Sequence, residues 1–247
     1  MGEAGPELLA AEGLRAGGGF TTRAGGVSTG VHGSLNLGLH VSDDPARVER
    51  NRAALAVAAG VDPAGLVFAE QIHGRGVAVV DGPAGQPLRG VDGMVTANPD
   101  LALVVLAADC LPILMSDAQA GVVAAVHAGR AGLVAGVLQC ALEVMACLGA
   151  TPAGTVAAIG PAACGRCYEV PEAMAAEVER LVPGSRARTS TGSASVDLTA
   201  GAIGILSRAG LARVTAVGGC TIEQPDRFFS YRRDGLTGRH GAVIRRA

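Results

Sequence analysis

A mixed α/β (α+β) fold, with mixed β-sheets covered by helices in a single domain over residues 1–247, is what this sequence predicts. Three observations carry the prediction. Short aliphatic runs rich in β-branched residues recur along the chain. Segments with helical start and stop signals separate them. Hydrophobic residues make up 49% of the chain and charged ones 17%, which supplies a large core.

The elements follow in order. About the first 15 residues are expected to be peripheral, as chain ends often are. Asp44-Pro45 starts a helix, because Asp caps free amides and Pro suits the first helical position; Val48, Asn51, Arg52 and Leu55 continue it to a terminal Gly60. A single buried helix is expected over Gly132 to Leu148, since Leu133, Val134, Val137, Leu138, Ala141, Val144, Met145 and Leu148 cover most of its surface. Two more helices are expected at Glu172 to Val182 and at Leu198 to Ala209, the latter capped by Asp197. Strands are expected at Leu66 to Ala69, Val77 to Val80, Leu101 to Ala107, Gly121 to Val126, Thr155 to Ile159, Val214 to Val217 and Ala242 to Ile244. Several of these are continuous rather than alternating, as in strands buried on both faces. Asp81 to Gly90 and Pro183 to Ser195 read as surface loops.

Composition excludes several chemistries. All 20 basic residues are Arg, so Schiff-base enzymes have no lysine to use and a P-loop has no phosphate-binding lysine. The net charge is -2 and aromatic residues are 2%, which argues against nucleic acid as a partner. The most apolar stretch, Leu101 to Met115, is broken by Asp109 and Pro112, so no membrane partner is expected. The N-terminal segment carries Glu3, Glu7 and Glu12 and lacks a basic region followed by an apolar one, which points to the cytoplasm and reduced thiols. No structural disulfide is expected among Cys110, Cys140, Cys147, Cys164, Cys167 and Cys220. Cys164-Gly165-Arg166-Cys167 is a lone CxxC, and one pair cannot complete a tetrahedral zinc site, so it reads as structural. Cys140 and Cys147 read as core, and His32 or His40 as possible pocket residues beside Ser34-Leu35-Asn36-Leu37-Gly38.

Three strand-like segments run into metal-ligand types. Leu66 to Ala69 leads to His73, Leu101 to Ala107 leads to Cys110, and Gly121 to Val126 leads to His127. If those strands are neighbours, two imidazoles and a thiolate converge at one sheet end. That set suits zinc with a fourth position open to water or substrate.

The motifs that contain these residues resemble a known family. They are Thr21-Thr22-Arg23-Ala24-Gly25-Gly26-Val27-Ser28, Ser34 to Gly38, Gln71-Ile72-His73-Gly74, Ala108-Asp109-Cys110-Leu111-Pro112 and His127-Ala128-Gly129. Gly160-Pro161, Cys167-Tyr168-Glu169-Val170, Phe229-Ser230-Tyr231-Arg232-Arg233-Asp234 and Thr237-Gly238-Arg239 follow in the same order. Together they resemble the family once called multicopper polyphenol oxidases (laccases) and now regarded as purine nucleoside phosphorylases with adenosine deaminase activity. The resemblance implies that His73, Cys110 and His127 bind zinc in a pocket that takes a purine nucleoside. It also implies phosphorolysis of adenosine, inosine, guanosine or methylthioadenosine to base and ribose 1-phosphate. One motif departs: the family's His-Ala-Gly-Trp-Arg-Gly reads His127-Ala128-Gly129-Arg130-Ala131-Gly132 here, which bears on substrate contacts rather than on the ligand His127.

Phosphorolysis needs an anion site. Arg23 is the first candidate, followed by Arg130 and Arg233, with Ser34 and Asn36 placed to bond ribose or phosphate. Deamination needs an activated water, whose pKa zinc lowers toward ~7, and a carboxylate to move protons. Asp109 is the catalytic candidate beside Cys110, although neighbours on an extended chain point opposite ways; Glu169 is the other. A multicopper oxidase would need many histidines in His-x-His pairs, and this chain has five His and no such pair, so copper is expected only as an in vitro guest. Two other readings stay open: a cysteine hydrolase with Cys110 as nucleophile and His127 as base, and an editing hydrolase acting on peptidoglycan precursors, to which family members have been linked. The expected form is a monomer or small homo-oligomer.

Overall fold

The computed structural model describes residues 5–247. The segment before Arg15, expected to be peripheral, supplies an edge strand, β1 (Leu8–Ala10). It is followed by β2 (Ala16–Thr21), α1 (Pro45–Ala59), β3 (Leu66–Glu70), β4 (Val77–Val79), β5 (Leu88–Arg89), β6 (Gly93–Thr96) and β7 (Ala102–Ala107). Next come β8 (Leu111–Asp117), β9 (Val122–Ala128), α2 (Arg130–Ala135), α3 (Val137–Cys147), β10 (Thr155–Ile159) and α4 (Glu172–Leu181). The chain ends with β11 (Arg186–Arg188), β12 (Ala194–Val196), α5 (Leu198–Arg208), β13 (Arg213–Ala216), α6 (Tyr231–Asp234) and β14 (His240–Arg246).

Twelve strands form two six-stranded sheets, in the orders β1-β2-β14-β7-β3-β5 and β13-β10-β8-β9-β6-β4. Both are mixed: β3 runs parallel to β7 and β5, β10 to β13 and β4 to β6, while the remaining neighbours are antiparallel. The sheets pack face to face and helices cover their outer sides, which gives four layers. Strand alternation sorts the side chains. Val67, Leu103, Val105, Leu114, Val123 and Ala125 fill the space between the sheets. Leu66, Phe68, Val104 and Leu106 pack with Leu55 and Ala56 of α1. Ile113, Met115, Val122 and Val126 pack with Val137, Leu138, Met145 and Leu206 of α3 and α5. A strand covered on both faces needs apolar residues at every position, which is why the runs are continuous.

The helix signals work as chemistry requires. Asp44 Oδ1 accepts from the Ala46 amide at 2.9 Å, and Gly60 ends α1 at φ 70°. Asp197 Oδ1 accepts from the Ala200 amide at 2.9 Å at the start of α5. The single helix expected over Gly132 to Leu148 is instead two, because Gly136 takes φ 90° between α2 and α3. The expected loops at 81–90 and 183–195 also carry strands, β5 in the first and β11 with the start of β12 in the second. β2, β6 and β8 fall outside the expected strands: glycine is depleted in strands, and Pro112 within β8 reads as a strand breaker.

Candidate functional site

β7 belongs to the first sheet and β8 to the second, so Ala108-Asp109-Cys110 is the crossing between them. Cys110 therefore sits at the seam of the two sheets. The loop after β3 brings His73 there from β7's parallel neighbour. His127 comes from β9 in the other sheet, paired with Pro112 across from β8. The three segments are thus not strands of one sheet, as the simplest reading of their spacing had it; convergence happens across the sandwich. His127 follows the alternation of Val123 and Ala125 and points into the space between the sheets.

The donor atoms of His73, Cys110 and His127 all lie within 4.8 Å of one another, and the two imidazole centroids are 4.8 Å apart. His127 is buried, and its Nδ1 bonds Asp92 Oδ1 at 2.8 Å, which leaves Nε2 as its uncommitted nitrogen. Asp92, fully buried just before β6, was missed from the sequence. Its carboxylate also accepts from the amides of Ile72 at 3.2 Å, His73 at 2.9 Å and Gly74 at 2.7 Å. It therefore holds one histidine by the ring and the other by the backbone, with His73 at φ 58°. An imidazole oriented by a carboxylate in this way is a common support for a metal ligand. Burial works against ionising Asp92, but the His127 and amide hydrogen bonds hold its pKa below the usual value. Burial, foremost, lowers the His127 pKa and keeps the ring neutral, the form that binds a metal.

Burial, reinforced by the nearby Asp109 charge, pushes the Cys110 thiol up to about 12. A lone Cys110 thiolate is therefore scarce near neutral pH, and a cation beside it would favour it. Two glycines make room. A Cβ at Gly129 would lie 3.0 Å from Cys110 Sγ, and one at Gly132 would lie 2.7 Å from the Gly74 carbonyl oxygen.

The donor set opens into a cavity of about 1030 Å³. Both tyrosines of the chain, Tyr168 and Tyr231, line it with Phe68, Leu39 and Leu106. Arg52, Arg89, Arg232 and Arg239 supply its positive side, with His40 beside them. Arg52 stacks over Phe68 at 3.9 Å and donates to the Leu37 carbonyl. Burial lowers the His40 pKa first, and the charges of Arg239 and Arg52 lower it further, which marks the three as neighbours.

The residues expected to bind substrate lie elsewhere. Arg23 donates to the carbonyls of Gly33 at 2.8 Å and Pro225 at 2.7 Å and covers Phe229. Ser34 Oγ accepts from the Gly26 amide and donates to the Arg23 carbonyl. Asn36 bonds Gly38, Asp43 and the Arg239 amide. Arg233 donates to the carbonyls of Thr221, Ile222 and Phe228. Arg130 opens α2. None of the five lines the cavity; all but Arg130 spend their polar atoms on loop backbone, the usual work of such residues in turns. The altered Arg130-Ala131 pair is likewise absent from the cavity wall. Asp109 does line it, at φ 93° rather than in extended backbone. Its Oδ1 accepts from the Thr221 hydroxyl at 2.6 Å and its Oδ2 from the Arg232 amide at 2.7 Å, so both oxygens are engaged. Glu169 accepts from Arg232 through its carbonyl, outside the cavity.

The sequence profile of the multi-copper polyphenol oxidoreductase laccase family matches residues 17–247. The chain belongs to that family. Among curated relatives, the purine nucleoside phosphorylase ORF3 of Streptomyces griseus is 54% identical over 227 residues, covering 91% of this chain and 92% of that protein. The purine nucleoside phosphorylase of Deinococcus radiodurans is 42% identical, covering 96% and 92%. The crystal structure of YlmD from Geobacillus stearothermophilus superposes with a TM-score of 0.91 at 31% identity, covering all of this chain and 97% of that one. This member of the laccase family has five histidines, with His73 and His127 alone among them in the donor cluster. No helix among the described residues is long and apolar enough to cross a membrane.

Proposed function

We propose that this chain is a zinc-dependent purine nucleoside phosphorylase. Its substrates are adenosine, inosine, guanosine or methylthioadenosine with phosphate, and its products are the base and the ribose (or methylthioribose) 1-phosphate. Adenosine deamination is the second activity of the same cavity. The observation that carries the reading is one cavity joining a His73–Cys110–His127 donor set to the cationic side made by Arg52 and Arg239. The names of the close relatives support the same reaction class.

The donor set fits zinc: two imidazoles and one thiol, with no fourth protein ligand among the described residues, match an open zinc site better than a copper cluster. A zinc ion bound there supplies Lewis-acid charge and a water acidic enough to deaminate at neutral pH. The residues of the chain do the rest. Arg52 and Arg239 hold phosphate in the half-buried cationic corner, where desolvation strengthens the ion pair. Phosphate oxygen attacks the sugar C1′ as the bond to the purine nitrogen breaks. Tyr168, Tyr231 and Phe68 cover the apolar faces of base and sugar. Asp109 holds Thr221 and Arg232 in place and serves as a positioning residue. Glu70, at the end of β3, is the other carboxylate on the cavity wall, and we assign it the proton transfers. The cysteine-hydrolase reading is disfavoured by the Cys110 thiol, which burial keeps protonated when no cation is present.

The test is product analysis by chromatography and mass spectrometry. Protein is incubated with adenosine with and without phosphate, and with and without a chelator, beside Cys110→Ala and Glu70→Gln variants. The expected result is phosphate-dependent adenine with ribose 1-phosphate, and phosphate-independent inosine. Both should be lost on chelation and in Cys110→Ala, and reduced in Glu70→Gln. Turnover that survives chelation in the wild type but not in Cys110→Ala would replace this reading with a cysteine hydrolase. No turnover of any nucleoside by zinc-loaded protein would sink it and turn the search to cell-wall precursors.

A further inference from the structure

Cys164 and Cys167 bracket a tight turn, in which the amides of Cys167 and Tyr168 both donate to the Cys164 carbonyl at 2.9 Å. Alone, that pair cannot enclose a metal. The fold brings the missing half from far along the chain. Ala162 forms a parallel bridge with Cys220, and the Thr221 amide donates to the Ala162 carbonyl at 3.1 Å. This lays Cys220 and Glu223 against the turn. The Cys164 amide lies 3.5 Å from Cys220 Sγ, and Cys167 Sγ lies 3.4 Å from Glu223 Oε1. All four ligand atoms fall within 4.8 Å of one another.

We propose that Cys164, Cys167, Cys220 and Glu223 form a second metal centre, a structural zinc site separate from the cavity. A tetrahedral zinc with sulfur at about 2.3 Å puts its sulfurs about 3.8 Å apart, so the cluster needs only small side-chain movements to close on an ion. Three sulfurs and one carboxylate select a thiophilic ion over magnesium or calcium. Four protein ligands leave no position for substrate, which is the mark of a structural site. Cys220 is buried, the CxxC cysteines are half-buried, and Glu223 closes the solvent side, held from outside by Arg166 at 3.4 Å. Burial raises the Cys164 and Cys167 thiols, with Cys220 beside them, and zinc binding would release those protons to solvent.

The site has something to fasten. Cys220 adjoins Thr221, whose hydroxyl holds Asp109 at 2.6 Å, next to Cys110. Cys167 adjoins Tyr168, on the cavity wall. A zinc there ties two segments that have little regular structure into one wall. The proposal stands whatever reaction the cavity performs.

The test uses a His73→Ala/Cys110→Ala background, which removes two donors of the first centre. That protein is loaded with zinc, desalted and measured by elemental analysis, and it should retain one zinc per chain. Adding Cys164→Ser and Cys167→Ser should take this to none. Cobalt in place of zinc should give strong thiolate-to-cobalt charge-transfer absorption in the same background. In the wild-type chain, where nothing buried is touched, Glu223→Gln should weaken binding of one zinc about tenfold or more in chelator competition. The denatured metal-free chain should titrate six free thiols. No zinc in the double-variant background, or a Cys164–Cys167 disulfide in place of metal, would overturn the proposal. So would unchanged zinc affinity in Glu223→Gln together with no charge-transfer band.

Discussion

Asp92 shows how one residue can organise a site without facing the cavity. Four hydrogen bonds converge on its carboxylate, one from the His127 ring and three from the amides of residues 72–74. Asp92→Asn keeps the shape but offers only one acceptor oxygen and no charge. The expected outcome is a zinc affinity lower by about 10–100-fold, read by chelator competition, because removing a ligand's supporting carboxylate typically costs that much. A change under threefold would mean that the loop backbone alone orients His73. His73, Cys110 and His127 stand out in the sequence because ligand chemistry is written in residue type, and the fold brings their donor atoms within 4.8 Å of one another. It could not find Asp92, since an Asp before a Gly is also ordinary turn chemistry. It placed the anion site at Arg23, Arg130 and Arg233 for the converse reason. Arg52 and Arg239 brace carbonyls too, so what separates them from Arg23 and Arg233 is that they line the cavity, which only the folded chain decides.

At the scale of elements, the site depends on how closely α2 can approach the loop after β3. Gly132, in the first turn of α2, lies where a Cβ would meet the Gly74 carbonyl oxygen at 2.7 Å. Gly132→Ala must therefore push α2 away from residues 73–74. A loss of about 1–3 kcal/mol is expected in denaturant unfolding, the usual cost of overpacking. Weaker zinc binding should accompany it, because the displaced loop carries His73. Unfolding that matches the wild type would show that the loop moves freely, contrary to its three-bond anchorage at Asp92. Most elements were legible: the Asp44 and Asp197 caps, the Gly60 stop and the continuous apolar strands all follow local rules. The Gly136 break was not, because an apolar pattern continues through it while only the backbone turns left-handed. The β7–β8 crossing from one sheet to the other also has no local signature.

For the whole molecule, acid stability follows from a histidine sealed in the core. His240 opens β14 and is fully buried, with no well-formed hydrogen bond at either ring nitrogen among the described residues. Burial, foremost, lowers its pKa from 6.5 to about 4. Between those values the unfolded chain takes up a proton that the native chain refuses. Stability from the neutral ring is thus fully present above pH 6.5 and is lost as the pH falls toward 4. The loss by pH 5 is about 2 kcal/mol. Replacing the ring with an apolar one, His240→Phe, should flatten the fall in Tm between pH 7 and pH 5 whatever it does to Tm itself. An equal pH dependence in both proteins would show that His240 is protonated in the native state.

The sequence by itself determined the mixed α/β content, the capped helix starts at Asp44 and Asp197 and the residue types that stand in the donor set. These depend on residue type, on periods of two or 3.6 and on caps, all of which act over a few residues. Only the tertiary structure decided where His73, Cys110 and His127 meet, which arginines face the cavity, and that Cys164 and Cys167 stand beside Cys220 and Glu223. Those facts rest on strand order and on a chain that changes sheets at Asp109. Contacts between residues far apart in the chain are set by the packing of whole layers, and no local window contains that information.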